Sequence, residues 1–461
     1  MHNGDVSYWW QKLGIPPRRP ALPGDTEADV CIVGAGYTGL WTAYYLIRAD
    51  PGLRIVVLEA SFAGFGASGR NGGWVTAALT GSRTRYAKGP RGTDGVRALE
   101  RALRDTVDEV GRVCAVERID AQYVKGGELT VATSPAQDAR LRTQLERDRA
   151  WGDDTDVVLH IDADELSQRL RIAGAAGALY TPHCARIQPA ALVSGLAATV
   201  TAAGVALYEG TRVTSIEPGA AHTAFGTVRA KHVLRCTEGF TAQLPGQHRR
   251  LLPMNSSMIV TEPLSEAAWE QIGWDGFETL GDEAHAYMYA QRTADGRIAL
   301  GGRGVPYRYG SAVDMDGATQ PRTAASLAAI LRRMFPAAAS AGIAHAWCGV
   351  LGVPRDWCAS VTLEPATGLG WAGGYTGHGV AAANLAGRTL ADLVRGEQTE
   401  LVTLPWVGHR WQTWEPEPLR WTGVRGLYTL YRAADRLETR SGSSRTSALA
   451  RIGDLISGIP H

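Results

Sequence analysis

The segment from Asp29 to Glu59 constrains the fold of this chain more than any other. It contains, in order, an apolar run at residues 30–33, a glycine-rich turn at 34–39, a helical pattern that extends to residue 46 and a second apolar run at 55–58. Short apolar runs bounded by turn signals are typical of buried strands. The order strand, glycine turn, helix, strand predicts the first unit of an α/β domain.

The glycines of this turn have the spacing of a phosphate-binding loop. Gly34 permits a tight exit from the first strand, Gly36 lets the backbone approach a pyrophosphate, and Gly39 lets the helix lie close on the sheet. The amides at the helix start then face the phosphates, with the positive end of the helix dipole behind them. Glu59 follows at the end of the second strand, where a carboxylate can accept hydrogen bonds from a ribose diol. The predicted dinucleotide contacts are Gly34, Ala35, Gly36, Tyr37, Thr38, Gly39, Glu59 and Ala60. The alternative is a tight structural turn.

Length, charge and cysteine content limit the classes of protein that fit. A chain of 461 residues has room for two or three domains, and its net charge of +1 gives no overall field for nucleic acid. The six cysteines form no CxxC pair and no cluster with metal-ligand spacing, so we expect a reducing compartment and no structural metal. The N-terminus lacks the apolar core of a secretory signal, and no window approaches the roughly 18 apolar residues of a spanning helix. We therefore expect a cytoplasmic protein with at most peripheral membrane contact.

A second glycine cluster spans residues 64–74. Five glycines in this span cannot stabilise a helix or a strand, so the backbone is predicted to wrap a flat group, with Arg70 and Asn71 as donors to it. A mobile surface loop is the alternative. The predicted contacts are Gly66, Ala67, Ser68, Arg70, Asn71, Gly72 and Gly73.

The middle of the chain first reads as an inserted, partly helical region and then as a return to the first sheet. Helical patterns occupy residues 94–115, 136–150 and 163–170. A further helix at 189–203 is followed by strands that return to the nucleotide-binding sheet. The predicted cofactor contacts on this return are Val213 and Thr237.

Residues 254–304 are rich in strand patterns separated by turn signals. An antiparallel sheet accounts for them, and such a sheet can form the floor of a substrate chamber. Tyr287 and Tyr289 alternate with Met288, so both are predicted to face the same side. They are candidates for the pocket, with core packing as the alternative.

A third glycine cluster ends where a helical pattern begins near residue 379. This is a second glycine-lined helix N-terminus, some 340 residues after the first. A separate anion, or a ring that becomes anionic, is a natural occupant of such a site. The predicted contacts are Gly374, Tyr375, Gly377, His378, Gly379 and Val380.

Beyond residue 405 the composition changes. Tryptophans and prolines precede a basic amphipathic helix at about residues 424–436. Packing of this helix on its own domain is favoured, and contact with a membrane surface or a partner is the alternative.

Three motifs together resemble the D-amino-acid-oxidase-like (DAO) superfamily of FAD-dependent amine oxidoreductases. They are Gly34-x-Gly36-x-x-Gly39 with Glu59, the run Gly66-Ala67-Ser68-Gly69-Arg70-Asn71-Gly72-Gly73, and Gly374-Tyr375-Thr376-Gly377-His378-Gly379. The resemblance covers roughly residues 25 to 405. The second motif is similar to that of the gamma-glutamylputrescine oxidoreductase branch, and the third is similar to those of the sarcosine and glycine oxidase branches.

The resemblance implies an α/β plus antiparallel β fold. A discontinuous Rossmann-like FAD-binding domain, residues 28–90, 180–250 and 340–405, is then interleaved with a substrate domain, residues 91–179 and 251–339. Residues 1–27 would form an extended lead-in, and residues 406–461 a C-terminal helical extension.

The implied chemistry is hydride transfer from the C–N carbon of an amine or amino acid to flavin N5. The product is an imine that water hydrolyses, with O₂ as acceptor and H₂O₂ formed. Amides near residues 377–380 would stabilise charge at flavin N1 and O2, and His378 would lie beside the ring, ordering the backbone rather than transferring a proton. Two alternatives stay open: a dehydrogenase that passes electrons to a membrane quinone or carrier protein, and an FAD-holding subunit without turnover.

Two positions depart from the family pattern. Sarcosine oxidases have a lysine two residues after Gly-His-Gly that binds the substrate carboxylate, whereas this chain has Ala381. If the substrate carries an acid, Arg303 or Arg292 would replace the lysine, with a surface or sheet-end charge as the alternative for both. Cys348 lies at a similar distance before the third motif as the flavin-linked cysteine of sarcosine oxidases. Non-covalent FAD is favoured, and a covalent link through Cys348 is the alternative.

Overall fold

The strands of this chain divide into two large sheets and a short ribbon. The structure is a computed structural model that describes residues 1–302 and 307–458. Within these residues the strands are β1 (His2–Asn3), β2 (Thr26–Val33), β3 (Ile55–Leu58), β4 (Trp74–Thr76), β5 (Glu128–Ala132), β6 (Leu159–Asp162), β7 (Gly177–Thr181), β8 (Cys184–Arg186), β9 (Ala206–Tyr208), β10 (Val213–Glu217), β11 (Ala220–Thr223), β12 (Gly226–Arg235), β13 (Leu252–Thr261), β14 (Thr279–Asp282), β15 (Met288–Arg292), β16 (Ile298–Gly302), β17 (Ile343–Val353), β18 (Ser360–Leu363) and β19 (Leu369–Gly373).

The helices cover the sheets and form the C-terminal part of the chain. The α-helices are α1 (Tyr8–Leu13), α2 (Tyr37–Ala49), α3 (Arg83–Tyr86), α4 (Gly92–Val116), α5 (Pro135–Trp151), α6 (Ala163–Arg169), α7 (Pro189–Ala202), α8 (Glu266–Ile272), α9 (Pro321–Met334), α10 (Gly379–Arg395), α11 (Leu419–Ser441) and α12 (Ala448–Ser457). Short 3₁₀ turns occupy Ala67–Gly69, Glu238–Gln243, Tyr309–Ser311, Pro336–Ala338 and Glu400–Thr403.

The eight-stranded sheet is built on the predicted strand–turn–helix–strand unit. β2 and β3 pair in parallel, with Val30 opposite Ile55 and Val33 opposite Leu58, and α2 connects them. β9 continues the sheet beside β3, and β12 continues it beside β2, again in parallel. β19 pairs with the second half of β12, and the β10–β11 hairpin pairs with its first half. The sheet therefore collects the carboxyl ends of strands from three distant parts of the chain.

The nine-stranded sheet has the order β1-β17-β13-β16-β15-β14-β5-β7-β6. Most neighbours are antiparallel, as the alternating patterns between residues 254 and 304 predict, but β14 pairs with β5 in parallel. Tyr289 stands opposite Gly281 and Gly301 in the register. A methyl group on Gly301 would lie 2.2 Å from the Tyr289 ring, so the glycine makes room for that ring. The mixed α/β and antiparallel fold predicted from the sequence is confirmed.

Strand β17 lies in a different large sheet from the other strands of its predicted segment. β17 falls inside residues 340–405, which the sequence assigns to the nucleotide-binding domain, yet it pairs with β13 from Leu252↔Val353 to Thr261↔Ile343. The pairing of β17 with β13 is a contact between distant segments. The residue pattern of β17 alone does not predict it. The bounds of the two domains stay a prediction.

The N-terminal segment contains a helix where an extended lead-in is predicted. Ser7 caps α1, because its hydroxyl accepts a hydrogen bond from Trp10 N. The Ser7 hydroxyl also donates to Gly69 O at 2.7 Å, and Trp9 Nε1 donates to Asn71 O at 2.8 Å. The buried rings of Tyr8, Trp9 and Trp10 thus anchor the chain start on the second glycine cluster.

The C-terminal helices α11 and α12 pack on the rest of the molecule through buried residues of α11 that include Val424, Tyr431 and Ala434. Their helical character matches the predicted extension. Among the described residues, no helix combines the length and the apolar character needed to cross a bilayer.

Candidate active site and cofactor cavity

A cavity of about 580 Å³ brings the three glycine clusters together. Its walls come from both large sheets. The predicted site residues that line it are Gly34, Gly36, Tyr37, Thr38, Glu59, Ala60, Gly66, Ala67, Ser68, Arg70, Asn71, Gly72, Val213, Thr237, Tyr287, Tyr289, Tyr375, Gly377, His378, Gly379 and Val380. Four predicted residues are not part of the cavity lining: Ala35, Gly39, Gly73 and Gly374. Arg303 falls outside the described residues.

The first glycine turn has no room for side chains. A Cβ on Gly34, at a φ of +107°, would lie 2.6 Å from Cys236 O, and one on Gly39 would lie 2.0 Å from Gly34 O. A Cβ on Gly36 would meet the Ser68 hydroxyl at 2.9 Å. These approaches bring β2, α2 and the 3₁₀ turn at Ala67–Gly69 close together, as a phosphate-binding turn requires.

Glu59 lies at one end of the cavity. Its Oε2 accepts a hydrogen bond from Ala35 N and its Oε1 accepts one from Ser61 N, both at 2.9 Å. Burial raises the pKa of this carboxyl group, and the two amide donors oppose that effect. A carboxylate has about four acceptor positions, so two remain for hydroxyl donors of a ligand.

The polar side chains of the second glycine cluster form hydrogen bonds with backbone groups, some within the cluster and some in a distant segment. Arg70 is 3% exposed, and its guanidinium donates to the carbonyls of Phe65, Asp314 and Met315. The Asn71 side-chain amide donates to Ala67 O and Ser68 O, and its Oδ1 accepts from Gly73 N. Both residues line the cavity, but these donors hold the loop in shape rather than reach for a ligand.

The third glycine cluster leads into α10 at the cavity wall. His378 is the N-cap residue of this helix and makes no side-chain cap hydrogen bond to it. The amides of the first turn therefore lack a side-chain acceptor on their own helix. The Tyr375 hydroxyl lies 3.0 Å from Thr38 Oγ1, so the first and third clusters, 337 residues apart in the chain, are in direct contact.

Glu238 is a site residue that the sequence analysis did not single out. It is the first residue of the 3₁₀ turn at Glu238–Gln243, lines the cavity and is half-buried. Its Oε1 accepts from Gly374 N and Tyr375 N, both at 3.0 Å, and its Oε2 accepts from Gly352 N at 2.8 Å. Removal of the carboxyl from water raises its pKa to about 7 in spite of these three donors. The sequence signal that could have identified Glu238 is an acidic residue between a predicted strand and Gly239.

The opposite end of the cavity is formed by the nine-stranded sheet and β4. Tyr287 and Tyr289 both line it, and the Tyr289 hydroxyl lies 2.9 Å from Ser256 Oγ. Trp74 stands edge-on to Tyr289, with ring centroids 6.2 Å apart. An aromatic chamber therefore adjoins the glycine clusters.

Two carboxyl groups in this chamber were also missed from the sequence. Glu128, at the start of β5, accepts a hydrogen bond from the Thr76 hydroxyl at 2.7 Å. Asp282, at the end of β14, accepts one from Met288 N at 2.8 Å. Burial raises the pKa of both groups, that of Asp282 to about 7. Neither stands in a motif, because each reaches the chamber through sheet pairing.

Helix α11 braces the loop that joins β14 to β15. The two Asp435 carboxylate oxygens accept from His285 N at 2.9 Å and from Ala286 N at 3.0 Å. Glu438 Oε1 lies 3.1 Å from His285 Nε2, and the His285 ring stacks on Tyr431 at 5.7 Å. The loop that supplies Asp282 and Tyr287 to the chamber is thus held by the C-terminal extension.

Two sequence candidates lie away from the cavity lining. Cys348 is buried in β17, where its thiol donates to Ala318 O at 3.2 Å. Arg292 forms an ion pair with Asp275 at 2.6 Å and donates to Trp274 O. Its guanidinium lies over the Trp269 ring at 4.2 Å.

The residues present fit FAD. A long dinucleotide needs a turn that admits a pyrophosphate, a carboxylate for its ribose and a donor-rich surface for a redox ring. The glycine contacts at Gly34 and Gly39, the Glu59 carboxylate and the uncapped start of α10 supply these in one cavity.

Comparisons with known proteins agree with this fit. The family described as FAD dependent oxidoreductase (DAO) matches residues 29–393. Gamma-glutamylputrescine oxidoreductase of Escherichia coli (strain K12) is 31% identical over 379 residues, which cover 80% of this chain and 84% of that protein. A probable oxidoreductase OrdL of Rhizobium meliloti (strain 1021) is 31% identical over 415 residues, covering 86% and 90%. The crystal structure of glycine oxidase from Geobacillus kaustophilus shares the fold, with a TM-score of 0.69 at 20% identity over 83% of this chain and 99% of that one.

Proposed function

The chain belongs to the DAO family of FAD-dependent oxidoreductases, and from this premise we propose that it oxidises a small-molecule amine or amino acid at the C–N bond. The observation that carries the proposal is the single cavity that joins the glycine clusters to an aromatic chamber. One relative, gamma-glutamylputrescine oxidoreductase, acts by its name on a putrescine derivative, which is an amine.

Bound FAD supplies a hydride acceptor at N5, so that the amine is released as an imine and, after hydrolysis, as an aldehyde or keto product, with O₂ reduced to H₂O₂. The chain must bind the amine unprotonated, and an aromatic, partly desolvated chamber favours the neutral form of an amine. Trp74, Tyr287 and Tyr289 provide such walls. Ser256 fixes the Tyr289 hydroxyl, which orients the ring that faces the substrate.

The α10 N-terminus is suited to negative charge. The amides of Gly379 and Val380 lie in its first turn, where the positive end of the helix dipole adds to their effect. Glu238 holds the preceding loop through Gly374 N and Tyr375 N. We assign His378 the role of ordering this backbone at the cavity wall, without a part in proton transfer.

We propose that FAD is held without a covalent link. The Cys348 thiol is engaged with Ala318 O, and burial holds its pKa near 12, so the nucleophilic thiolate is disfavoured. The six cysteines are all free, which supports a reducing, cytoplasmic setting for the proposal. The buried face of α11 packs on the rest of the molecule. This packing favours a structural role for the helix over docking to a membrane or a carrier protein.

The proposal is tested on purified protein reconstituted with FAD. Acid precipitation is expected to leave the yellow colour in the supernatant, whereas colour in the pellet would contradict the non-covalent assignment. An amine panel without oxygen is expected to bleach the flavin with at least one member, and readmitted oxygen is expected to restore the colour with formation of H₂O₂.

Each part of this test has a distinct negative result. Failure of every amine to bleach the flavin contradicts the proposed chemistry and favours a non-catalytic subunit. Bleaching without reoxidation by oxygen, but with reoxidation by a quinone, identifies a dehydrogenase instead of an oxidase.

A further inference from the structure

An aspartate, a cysteine and a histidine meet outside the lining of the cofactor cavity. Asp356 and Cys358 lie in the loop between β17 and β18, and His409 follows the 3₁₀ turn at Glu400–Thr403. A carboxylate oxygen of Asp356, Sγ of Cys358 and a ring nitrogen of His409 all lie within 4.8 Å of one another. Asp356 and His409 are 53 residues apart, so sequence spacing alone predicts no metal at this place.

The three side chains are built into the fold rather than left at a surface. Asp356 is 3% exposed and Cys358 is fully buried. Asp356 Oδ1 accepts a hydrogen bond from Cys358 N at 3.3 Å, and Asp356 Oδ2 lies 2.7 Å from His409 Nε2. Trp411 Nε1 donates to Cys358 O at 2.9 Å, and Ser360 Oγ donates to His409 O at 2.6 Å. These bonds fix the backbone on both sides of the cluster.

The chemistry of these three groups indicates Zn²⁺. Thiolate and imidazole are ligands that Zn²⁺ prefers, whereas Mg²⁺ and Ca²⁺ prefer oxygen ligands. One carboxylate and one thiolate balance the two charges of the ion, as a buried site requires. The His409 side chain is 23% exposed, so an ion and a water molecule can reach the cluster beside it.

The distances are close to those of a zinc site. Bonds of about 2.0–2.3 Å at tetrahedral angles place ligand atoms about 3.3–3.6 Å apart. The contact between Asp356 and His409 must therefore open by about 0.6 Å, and the sulfur must approach by up to about 1 Å. The partly exposed His409 ring has room to make the larger part of this adjustment.

A second cluster in the fold lacks this character. It consists of His285, Asp435 and Glu438. Both Asp435 oxygens accept backbone amides, and Arg140 pairs with Glu438 at 2.8 Å, so a guanidinium already supplies the positive charge. Within the described residues, the Asp356 carboxylate has its histidine alone as an ion-pair partner. The cluster at Asp356 is therefore the better cation site.

We propose that Asp356, Cys358 and His409 bind one Zn²⁺ ion, with water as the fourth ligand. On binding, the Cys358 thiol releases its proton to solvent, and bonds to the metal replace the hydrogen bond between Asp356 and His409. The ion cross-links the β17–β18 loop to the segment that leads into the C-terminal extension. This inference does not depend on the proposed function.

The cross-link lies beside the third glycine cluster. A Cβ on Gly374 would lie 3.2 Å from the Trp411 ring, and Trp411 is two residues after His409. The Trp411 indole also donates to Cys358 O. Zinc therefore stabilises a segment that packs directly on the loop before α10.

The first experiment measures Zn²⁺ affinity on the FAD-loaded full chain, freed of metal by a chelator, in competition with a chromophoric chelator. One ion per chain is expected to bind with a Kd of about 1 μM or lower. Cys358→Ser and His409→Gln are each expected to raise the Kd by about 100-fold or more, because loss of an outer-shell partner alone costs about 10–100-fold. Weaker binding, or binding that neither variant changes, would overturn the inference.

Two control variants match these changes. His160 Nε2 lies 3.4 Å from Asp138 Oδ1, outside the three-ligand clusters of the described residues, so His160→Gln should leave the Kd unchanged. Cys114 is a free, buried cysteine of α4, and Cys114→Ser should also leave it unchanged. Equal FAD content and equal circular dichroism show that the variants fold. An equal loss of affinity in a control would overturn the inference.

The second experiment needs no variant to fold. Co²⁺ in place of Zn²⁺ is expected to give a thiolate-to-metal charge-transfer band and the intense visible bands of four-coordinate Co²⁺, at longer wavelength than flavin absorption. The weak bands of an octahedral, oxygen-bound ion would overturn the inference.

The third experiment measures the thermal midpoint of the same protein. Zn²⁺ is expected to raise the midpoint in a concentration-dependent way, while Mg²⁺ at the same concentration leaves it unchanged. An equal rise with Mg²⁺, or an equal rise with Zn²⁺ in Cys358→Ser, would overturn the inference.

Discussion

Glu238 holds two segments that are both more than 100 residues away from it in the chain. Its carboxylate accepts one amide hydrogen bond from Gly352 and two from the loop at Gly374 and Tyr375. Three backbone donors around one side chain fix the approach of β17 to the start of α10. A residue with no predicted role thus shapes the proposed flavin site.

Replacement of this carboxylate should weaken cofactor binding. In Glu238→Gln one oxygen is replaced by an NH₂ group, which would face an amide donor. Since an unsatisfied buried donor costs about 1–3 kcal/mol, we expect the Kd for FAD to rise by about 10-fold or more. Quenching of FAD fluorescence by apoprotein measures it. Glu27→Gln, exposed on β2, is the control and should bind as the unaltered protein does. Unchanged affinity in Glu238→Gln would contradict the assigned role.

The same residue should give the apoprotein a characteristic pH dependence. Its pKa is raised from 4.5 to about 7, so the folded state binds the proton more tightly than the unfolded chain. Such a group stabilises the fold fully below pH 4.5, and this contribution is lost as the pH rises through 7. We expect the free energy of unfolding to fall across this window relative to Glu238→Gln. Urea denaturation at several pH values measures the difference in the free energy of unfolding between the two proteins. A difference that does not change with pH would contradict the raised pKa of Glu238.

Gly39 occupies a position in the first glycine turn where the backbone leaves no room for a side chain. Its missing Cβ would lie 2.0 Å from Gly34 O, so Gly39→Ala must displace α2 from the turn. We expect it to abolish FAD binding and to lower the thermal midpoint by several degrees. Gly423→Ala is the matched control, because that helical glycine has open space around it and alanine favours a helix. A Gly39→Ala protein that binds FAD normally would show that the turn adapts.

At the scale of elements, α11 bears directly on the substrate chamber. It contacts the β14–β15 loop through Asp435, Glu438 and Tyr431, while Arg140 of α5 donates to Glu283 O and pairs with Glu438. Asp282 and Tyr287 lie at the two ends of this loop. The C-terminal extension therefore acts as a positioning element for residues that line the cavity.

Asp435→Asn is expected to weaken substrate binding without changing cofactor binding. The amide keeps one acceptor for the loop and loses the other, so we expect KM to rise by about 10-fold while the Kd for FAD stays the same. Asp435 also raises the pKa of Asp282, so its neutralisation should move the acidic limb of the kcat/KM profile to lower pH. Arg436→Gln, exposed on the same helix, should change neither property. A rise in the Kd for FAD with no shift in the pH profile would indicate general destabilisation instead.

For the molecule as a whole, the cavity lies between two sheets that share part of one apolar core. One apolar cluster contains residues of both sheets, such as Ile32 and Met258, and a second lies between the nine-stranded sheet and α9. Residues from both sheets line the same cavity. A ligand of the length of FAD would contact both, which links the stabilities of the two halves.

This linkage predicts a stabilisation that depends on the whole cofactor. At a free concentration 100 times its Kd, FAD should stabilise the protein by about 2.7 kcal/mol, and the thermal midpoint should rise with concentration. AMP, which can occupy only the end at Glu59, should give a smaller shift at matched saturation and leave the nine-stranded sheet less protected from hydrogen exchange. Equal shifts and equal protection with both ligands would contradict the linkage. Calorimetry and hydrogen exchange measure the two effects.

The features of this protein that depend on local backbone geometry could be predicted from the amino-acid sequence. The turn at Gly34, Gly36 and Gly39, the acidic residue at position 59 and the start of α10 could all be located before any coordinates, because backbone close approaches admit only glycine and helix ends follow local rules. The alternation of Tyr287 and Tyr289 was also readable, because side chains on a strand have a period of two.

The contacts between residues that are distant in the chain became visible only in the folded structure. Glu238, Glu128, Asp282 and Asp435 stand in no motif, and their roles come from strand pairing and from backbone amides contributed by other segments. The hydrogen bonds of Arg70 and Cys348 to backbone carbonyls of distant residues could not be predicted from the sequence either. The physical reason is that burial and partnership set the chemistry of a charged or thiol group, and both are properties of the folded chain rather than of the neighbouring residues.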